Sequence, residues 1–215
     1  TVNPANAVTD FLGNADDTIA APSIVQVTVT VSASPTTVIK NGTVNVTVAI
    51  SSITDFDAIN YTLTYGNVLR FDSVTGGTIN GTAIPVMQIA TTTTTSLVVQ
   101  NVTDSPGVTG SGTLATLTFT FTGNSGESSN VTLSAVTISD NVANVISNNT
   151  VDTSVAATLV LGDGNGDSSL NALDITAVEL IIAGGRTTTP GADANADGIV
   201  NALDITKTEL IVAAQ

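Results

Sequence analysis

The chain has 215 residues, 42% of them hydrophobic, with 18 acidic side chains against 4 basic ones, a net charge of -14, and no cysteine, histidine or tryptophan. Without Cys or His there is no thiol nucleophile, no disulfide framework, no zinc finger and no Ser-His or Cys-His catalytic pair. So few cations cannot displace the counterions of a nucleic acid or hold an anionic membrane surface. Only 10% of residues are charged, and Val, Ile, Leu and Thr abound, which is the composition of a β-rich globular protein large enough to bury a core. No apolar run is long enough for a membrane span. The chain begins at Thr1 without Met, so we read it as a mature secreted fragment lacking its signal peptide.

Residues 1–23 (TVNPANAVTDFLGNADDTIAAPS) are polar apart from a small cluster at Val8, Phe11 and Leu12. They are expected either to lie on their own globular part or to complement a neighbouring subunit by strand addition. From 24 to 161 short runs alternate Val or Leu with Thr, at 24–33, 43–50, 58–65, 96–102, 113–121 and 131–138. That period of two marks strands with one buried and one wet face. Turn signals separate them at Asn41-Gly42, Gly76-Gly77, Asn80-Gly81, Pro106-Gly107 and Gly123-Asn124, and the threonines 91–95 suit an exposed strand. Many short strands at this spacing predict a β-sandwich. Seven Asn-x-Ser/Thr sequons, at Asn41, Asn45, Asn60, Asn80, Asn101, Asn130 and Asn148, are candidate glycosylation sites and would then lie at exposed, extracytoplasmic positions.

After 161 the pattern changes to a tandem repeat with a period of 30 residues: NALDIT recurs at 171–176 and 201–206, and Glu-Leu-Ile at 179–181 and 209–211. Each copy is an acidic loop running into a helix, with GGRTTTPGA (184–192) between them. The first loop places Asp163, Asn165, Asp167, Ser169, Asn171 and Asp174 at loop positions 1, 3, 5, 7, 9 and 12, and the second places Asp193, Asn195, Asp197, Ile199, Asn201 and Asp204 there. A hard cation such as Ca²⁺ takes about six to eight oxygens, and this spacing turns alternate donors inward, with the backbone carbonyl serving at the seventh position. Two departures from the EF-hand stand out: the last ligand is Asp instead of Glu, and the sixth position, usually Gly, is Ser168 in the first loop and Gly198 in the second. Ser168 is expected to sit at positive φ, weakening the first site by on the order of 1 kcal/mol.

Twin loops of this kind, each followed by one helix, resemble the dockerin module of cellulosome-type systems over residues 162–213. The resemblance implies two calcium ions and partner recognition by the residues before the last ligand, here Ala172 and Leu173 and their repeats Ala202 and Leu203. A dockerin's partner is a cohesin, a jelly-roll β-sandwich, and the upstream part is itself similar to a cohesin, through FDAINYTLTYGNVLRFDSVTGGTI (56–79) and the segments 110–126 and 130–140. That likeness implies a docking face near Asn60 and Asp104. The expected fold is thus mainly β: a jelly-roll, cohesin-like sandwich at 24–161 followed by a small α-helical calcium-loop domain at 162–215.

The first helix is apolar nearly all round, so a face is left for a partner unless it packs on its own sandwich. With 158–161 read as the last strand and Asp163 as the first ligand, almost no linker remains, and the plug cannot reach its own socket. The expectation is a non-catalytic extracellular assembly protein that polymerises head to tail into a surface filament or scaffold. The alternatives are an adaptor that docks on a different cohesin-bearing protein, and a carbohydrate-binding module; two tyrosines and no tryptophan leave the latter little stacking surface. The carboxylate pairs Asp55 with Asp57 and Asp16 with Asp17 read as solvated turns and not as a glycosidase pair.

Overall fold

The computed structural model describes residues 26–103 and 107–215, so the N-terminal segment 1–23, Pro106 and Asp104 lie outside the described residues. Among the described residues twelve strands are followed by two helices: β1 (Val27–Ser34), β2 (Thr37–Val38), β3 (Thr43–Tyr65), β4 (Leu69–Ile79), β5 (Thr82–Ile84), β6 (Val86–Thr93), β7 (Ser96–Val102), β8 (Val108–Phe121), β9 (Ser128–Asp140), β10 (Val145–Ile146), β11 (Asn148–Val151), β12 (Thr153–Ala157), α1 (Ala172–Ile182) and α2 (Ala202–Ala213). A single 3-10 turn, Pro190–Ala192, lies between the helices.

One long strand organises the sandwich. The first half of β3 lies between β1 and β8, and its second half lies between β7 and β9. From β8 the sheet continues to β4 and β5; from β9 it continues to β12 and, in parallel, β2; β6 closes the far side of β7. The sheet curls over on itself, and the two faces enclose Val44, Val46, Val48, Ile59, Tyr61 and Leu63 of β3 with Leu117, Phe119 and Phe121 of β8 and Leu97 and Val99 of β7. Burying each such side chain is worth roughly 1.5–3 kcal/mol. Tyr65 and Phe119 meet edge to face with ring centroids 4.9 Å apart.

Three sequence expectations change here. The runs 43–50 and 58–65 are one strand, bent between its halves by register shifts that include Asp55 at φ 65°. The bend moves the strand from one face of the sandwich to the other. Gly76-Gly77 is not a turn but lies inside β4, where a Cβ on Gly77 would stand 2.0 Å from the Thr113 carbonyl oxygen. These glycines are there for close strand approach. Residues 158–161 are not a strand: the last one ends at Ala157, and Thr158 then donates its N–H to the Val38 carbonyl. Asn80-Gly81 is a tight turn between β4 and β5, with both residues at positive φ (46° and 82°).

Candidate metal centres and docking surfaces

The two acidic loops fold onto their own carboxylates. Asp163 is fully buried and accepts N–H groups from Gly166 at 2.7 Å, Asp167 at 3.1 Å and Ser168 at 2.9 Å. Asn165 accepts the Asp167 N–H at 2.8 Å, and Asp167 accepts the Ser169 N–H at 2.8 Å. Asp174 reaches back from α1 to take the N–H groups of Asn165 (3.1 Å) and Asn171 (2.8 Å). The second loop repeats all but one of these bonds: Asp193 accepts from Asp197 and Gly198, Asn195 from Asp197, Asp197 from Ile199, and Asp204 from Asn195 and Asn201, while the Ala196 N–H goes to the Asp193 backbone carbonyl. At the seventh position the backbone carbonyls of Ser169 and Ile199 each accept from the side-chain amide two residues on, Asn171 and Asn201.

Asn171 and Asn201 do more than the spacing foretold. Each is the N-cap of its helix, accepting the N–H of Leu173 or Leu203, and with Asp174 or Asp204 answering the N-cap N–H it completes a capping box. The signal was present as N-x-x-D before an apolar run. One pair of side chains therefore both starts the helix and closes the loop.

One carboxylate oxygen from each of Asp163, Asp167 and Asp174 lies within 4.8 Å of the other two. Burial pushes the Asp163 carboxyl up, opposed by the N–H groups of Ser168 and Gly166 and reinforced by the charges of Asp174 and Asp167. Such a cluster, built of oxygen donors alone, fits a hard divalent cation, which would neutralise the repulsion it contains. Ser168 does adopt positive φ, at 69°. The second loop carries its own cost, because Ala196 sits at φ 58° where the first loop has Gly166.

Of the residues expected to meet a partner, Leu173 and Leu203 are each 65% exposed, and Ala172 and Ala202 are exposed beside them. α1 buries Asp174, Ala177, Val178 and Ile181 and leaves Leu180 and Ile182 in solvent, so its surplus apolar face is not consumed by the sandwich. Asn60 is exposed on the outer side of β3, between Gln100 of β7 and Thr137 of β9.

Five sequons, Asn41, Asn45, Asn60, Asn80 and Asn130, are exposed. Asn148 is half-buried, with its amide toward the Val136 and Ile146 carbonyls. Asn101 departs from the expectation of an exposed position: it is fully buried, and its amide nitrogen donates to the carbonyls of Leu114 at 2.9 Å and Pro85 at 3.3 Å. It is a core polar group that ties β7 to β8, and its nitrogen has no room for a sugar. Asp55 and Asp57, expected as solvated turn residues, lie instead within β3: Asp57 accepts the Thr103 N–H on its backbone carbonyl and Asp55 occupies the bend of the strand. Among the described residues no helix is long and apolar enough to cross a membrane.

Residues 29–157 match the family model of the cohesin domain, and residues 161–208 match that of the dockerin type I domain. Among solved structures, the fold is similar to a non-cellulosomal cohesin from the hyperthermophilic archaeon Archaeoglobus fulgidus, at 19% identity over 62% of this chain and 91% of that one, with a TM-score of 0.53. It is similar also to the sixth cohesin of scaffoldin B from Acetivibrio cellulolyticus, solved in complex with a dockerin, at 18% identity, 62% and 99% coverage and a TM-score of 0.51. A type I cohesin from Pseudobacteroides cellulosolvens matches at 14% identity, 63% and 94% coverage and a TM-score of 0.52. No significant relative is found among curated proteins. Cohesins and dockerins are non-catalytic protein-interaction modules, and dockerins generally bind calcium. With the cohesin match spanning more than half of its length, the chain belongs to the cohesin family and carries a dockerin type I domain behind its sandwich.

Proposed function

We propose that this chain is a non-catalytic, extracellular assembly subunit that carries a socket and a plug and polymerises head to tail in the presence of calcium. The plug is residues 162–215, with one ion in each loop held by Asp163, Asn165, Asp167, Ser169, Asn171 and Asp174 and by Asp193, Asn195, Asp197, Ile199, Asn201 and Asp204. Its contact surface centres on Ala172, Leu173, Ala202 and Leu203. The socket is the outer face of β6, β7, β3 and β9 around Asn60, on a sandwich module spanning 24–161, and Asp104 is its second proposed contact residue. Residues 1–23 are a separate segment that reaches a neighbour.

The observation that carries this reading is that both halves of a cohesin-dockerin pair occur in one chain while Leu173 and Leu203 remain 65% exposed. A plug fixed at the end of its sandwich and a socket on the sandwich face make a heterologous contact, which propagates into an open filament unless a ring closes. Size-exclusion chromatography with light scattering tests it: polymer in calcium that falls to monomer in EDTA is expected, and monomer under both conditions would leave only docking onto a cohesin of another protein. That adaptor reading uses the same plug with a different partner.

A further inference from the structure

The two acidic loops share most of their hydrogen bonding but differ where they face the sandwich. The fourth loop position is Gly166 in the first loop and Ala196 in the second; the sixth is Ser168 in the first and Gly198 in the second. A Cβ added at Gly166 would lie 3.1 Å from Cβ of Asn124 and 3.3 Å from its Cγ, whereas one added at Gly198 meets nothing within 4 Å, and Ala196 is exposed. Ser168 receives the Lys40 N–H on its hydroxyl at 3.4 Å, and the Lys40 ammonium donates to Asn124 at 2.7 Å. The same sandwich loop makes two more contacts. Ser125 accepts the Val160 N–H at 3.0 Å, and Gly126 abuts Pro190, whose Cβ and Cγ would lie 2.6 Å from any Cβ placed there. The linker is stitched in turn to the connector between the helices through Gly162 N–H to the Gly191 carbonyl, 2.9 Å.

From this we infer that the first calcium loop is also the joint between the two modules, so that filling it fixes the direction of the plug on the sandwich while filling the second loop does not. The N–H groups of Gly166 and Ser168 donate to Asp163, one of the two buried members of the carboxylate cluster. Without a cation the charges of Asp163, Asp167 and Asp174 repel across less than 4.8 Å and loosen the very backbone that touches Asn124 and Lys40. Two of the positions at which the loops differ are the two that the joint uses. Gly166 admits Asn124, and Ser168 meets Lys40 at the position where a glycine would be easier for the backbone.

The inference rests on the reading that the loops hold calcium, and its test separates the two. The chain has no cysteine, so Ser73→Cys on β4 and Lys207→Cys on α2, both exposed, can be spin-labelled cleanly. Double electron-electron resonance is recorded on the labelled full chain diluted into unlabelled protein, with calcium and with EDTA, beside calorimetry of calcium binding to the same samples. A narrow distance distribution in calcium, lost in EDTA, is expected. Asp163→Ala should lose it even in calcium, and Asp193→Ala should bind one ion fewer yet keep it. The double variant Ser168→Gly, Asn124→Ala leaves every proposed ligand in place and removes the hydroxyl that takes the Lys40 main-chain N–H; it should bind two ions, retain its helical circular dichroism and still lose the narrow distribution. A narrow distribution in EDTA, or in that double variant, overturns the inference, whereas absence of calcium binding in the parent chain overturns the calcium reading itself.

Discussion

The main-chain N–H of Ser168 donates to the carboxylate of buried Asp163 across 2.9 Å, and it does so with φ at 69°, a conformation that side chains with a Cβ resist. Its counterpart strain in the second loop falls on Ala196, at φ 58° and exposed. Ala196→Gly therefore removes the unfavourable Cβ without disturbing the joint. The gain, about 1–2 kcal/mol, is partly offset by the greater freedom of glycine in the unfolded chain, leaving a net stabilisation on the order of 0.5 kcal/mol. Urea unfolding of the full chain in calcium, followed by helical circular dichroism, measures it; an unchanged or lower midpoint contradicts the strain argument.

Thr208 is buried in α2, and its hydroxyl has no hydrogen-bond partner. Thirty residues earlier the repeat places Val178, equally buried, at the same point of α1. An unsatisfied buried hydroxyl costs roughly 1–3 kcal/mol, and valine has nearly the same shape. Thr208→Val should raise the stability of the C-terminal part by about 1 kcal/mol and leave calcium stoichiometry unchanged. A loss of stability would mean that the hydroxyl is satisfied in solution.

Because Asp174 and Asp204 each close a loop and complete a capping box, replacing either with Ala removes two functions at once. Loss of a cap alone costs about 1 kcal/mol, and the loss of the ion's folding free energy comes on top. Both variants should lose helical signal and calcium affinity together, which titration calorimetry paired with circular dichroism reads directly. A variant that keeps full affinity while losing helix would separate the two roles.

Asp140 accepts hydrogen bonds from the side chain and N–H of Asn144 and from the N–H of Val142, which hold its carboxyl below the ordinary carboxylate range. A lowered folded-state value contributes stability that is present above the unfolded value of about 4 and is lost as pH falls through the folded one. Asp140→Asn should thus cost stability near neutral pH, and the gap to the parent should close as the pH drops below about 4. A gap that stays constant from pH 7 to 3 would show the bonds to be indifferent to charge.

The repeats and their ligand spacing were legible because both are one-dimensional patterns, and so were most of the sandwich strands, whose Val and Thr alternate without interruption. Residues 51–57 were not, since bulges break the alternation and hide that β3 is continuous through its bend. The glycines of β4 looked like a turn because a sequence does not reveal which carbonyl, here that of Thr113, approaches a missing Cβ. Asn101 carried a sequon, yet its burial depends on strands β7 and β8 meeting in space. Ser168 was legible as a strained departure, but the contact of its hydroxyl with the Lys40 N–H, and the approach of Asn124 to neighbouring Gly166, were not, since both come from residues far away in the chain.

Head-to-tail docking is tested most directly by complementation between two broken chains. One carries Leu173→Asp with Leu203→Asp, which puts charge on the exposed plug; the other carries Asn60→Arg, which crowds the proposed socket. In calcium, each alone should be monomeric by light scattering, and an equimolar mixture should form a 1:1 dimer that EDTA dissolves, because each supplies the half that the other lacks. A mixture that remains monomeric while the parent chain polymerises, or single variants that polymerise as the parent does, would contradict a plug-and-socket contact between copies of this chain.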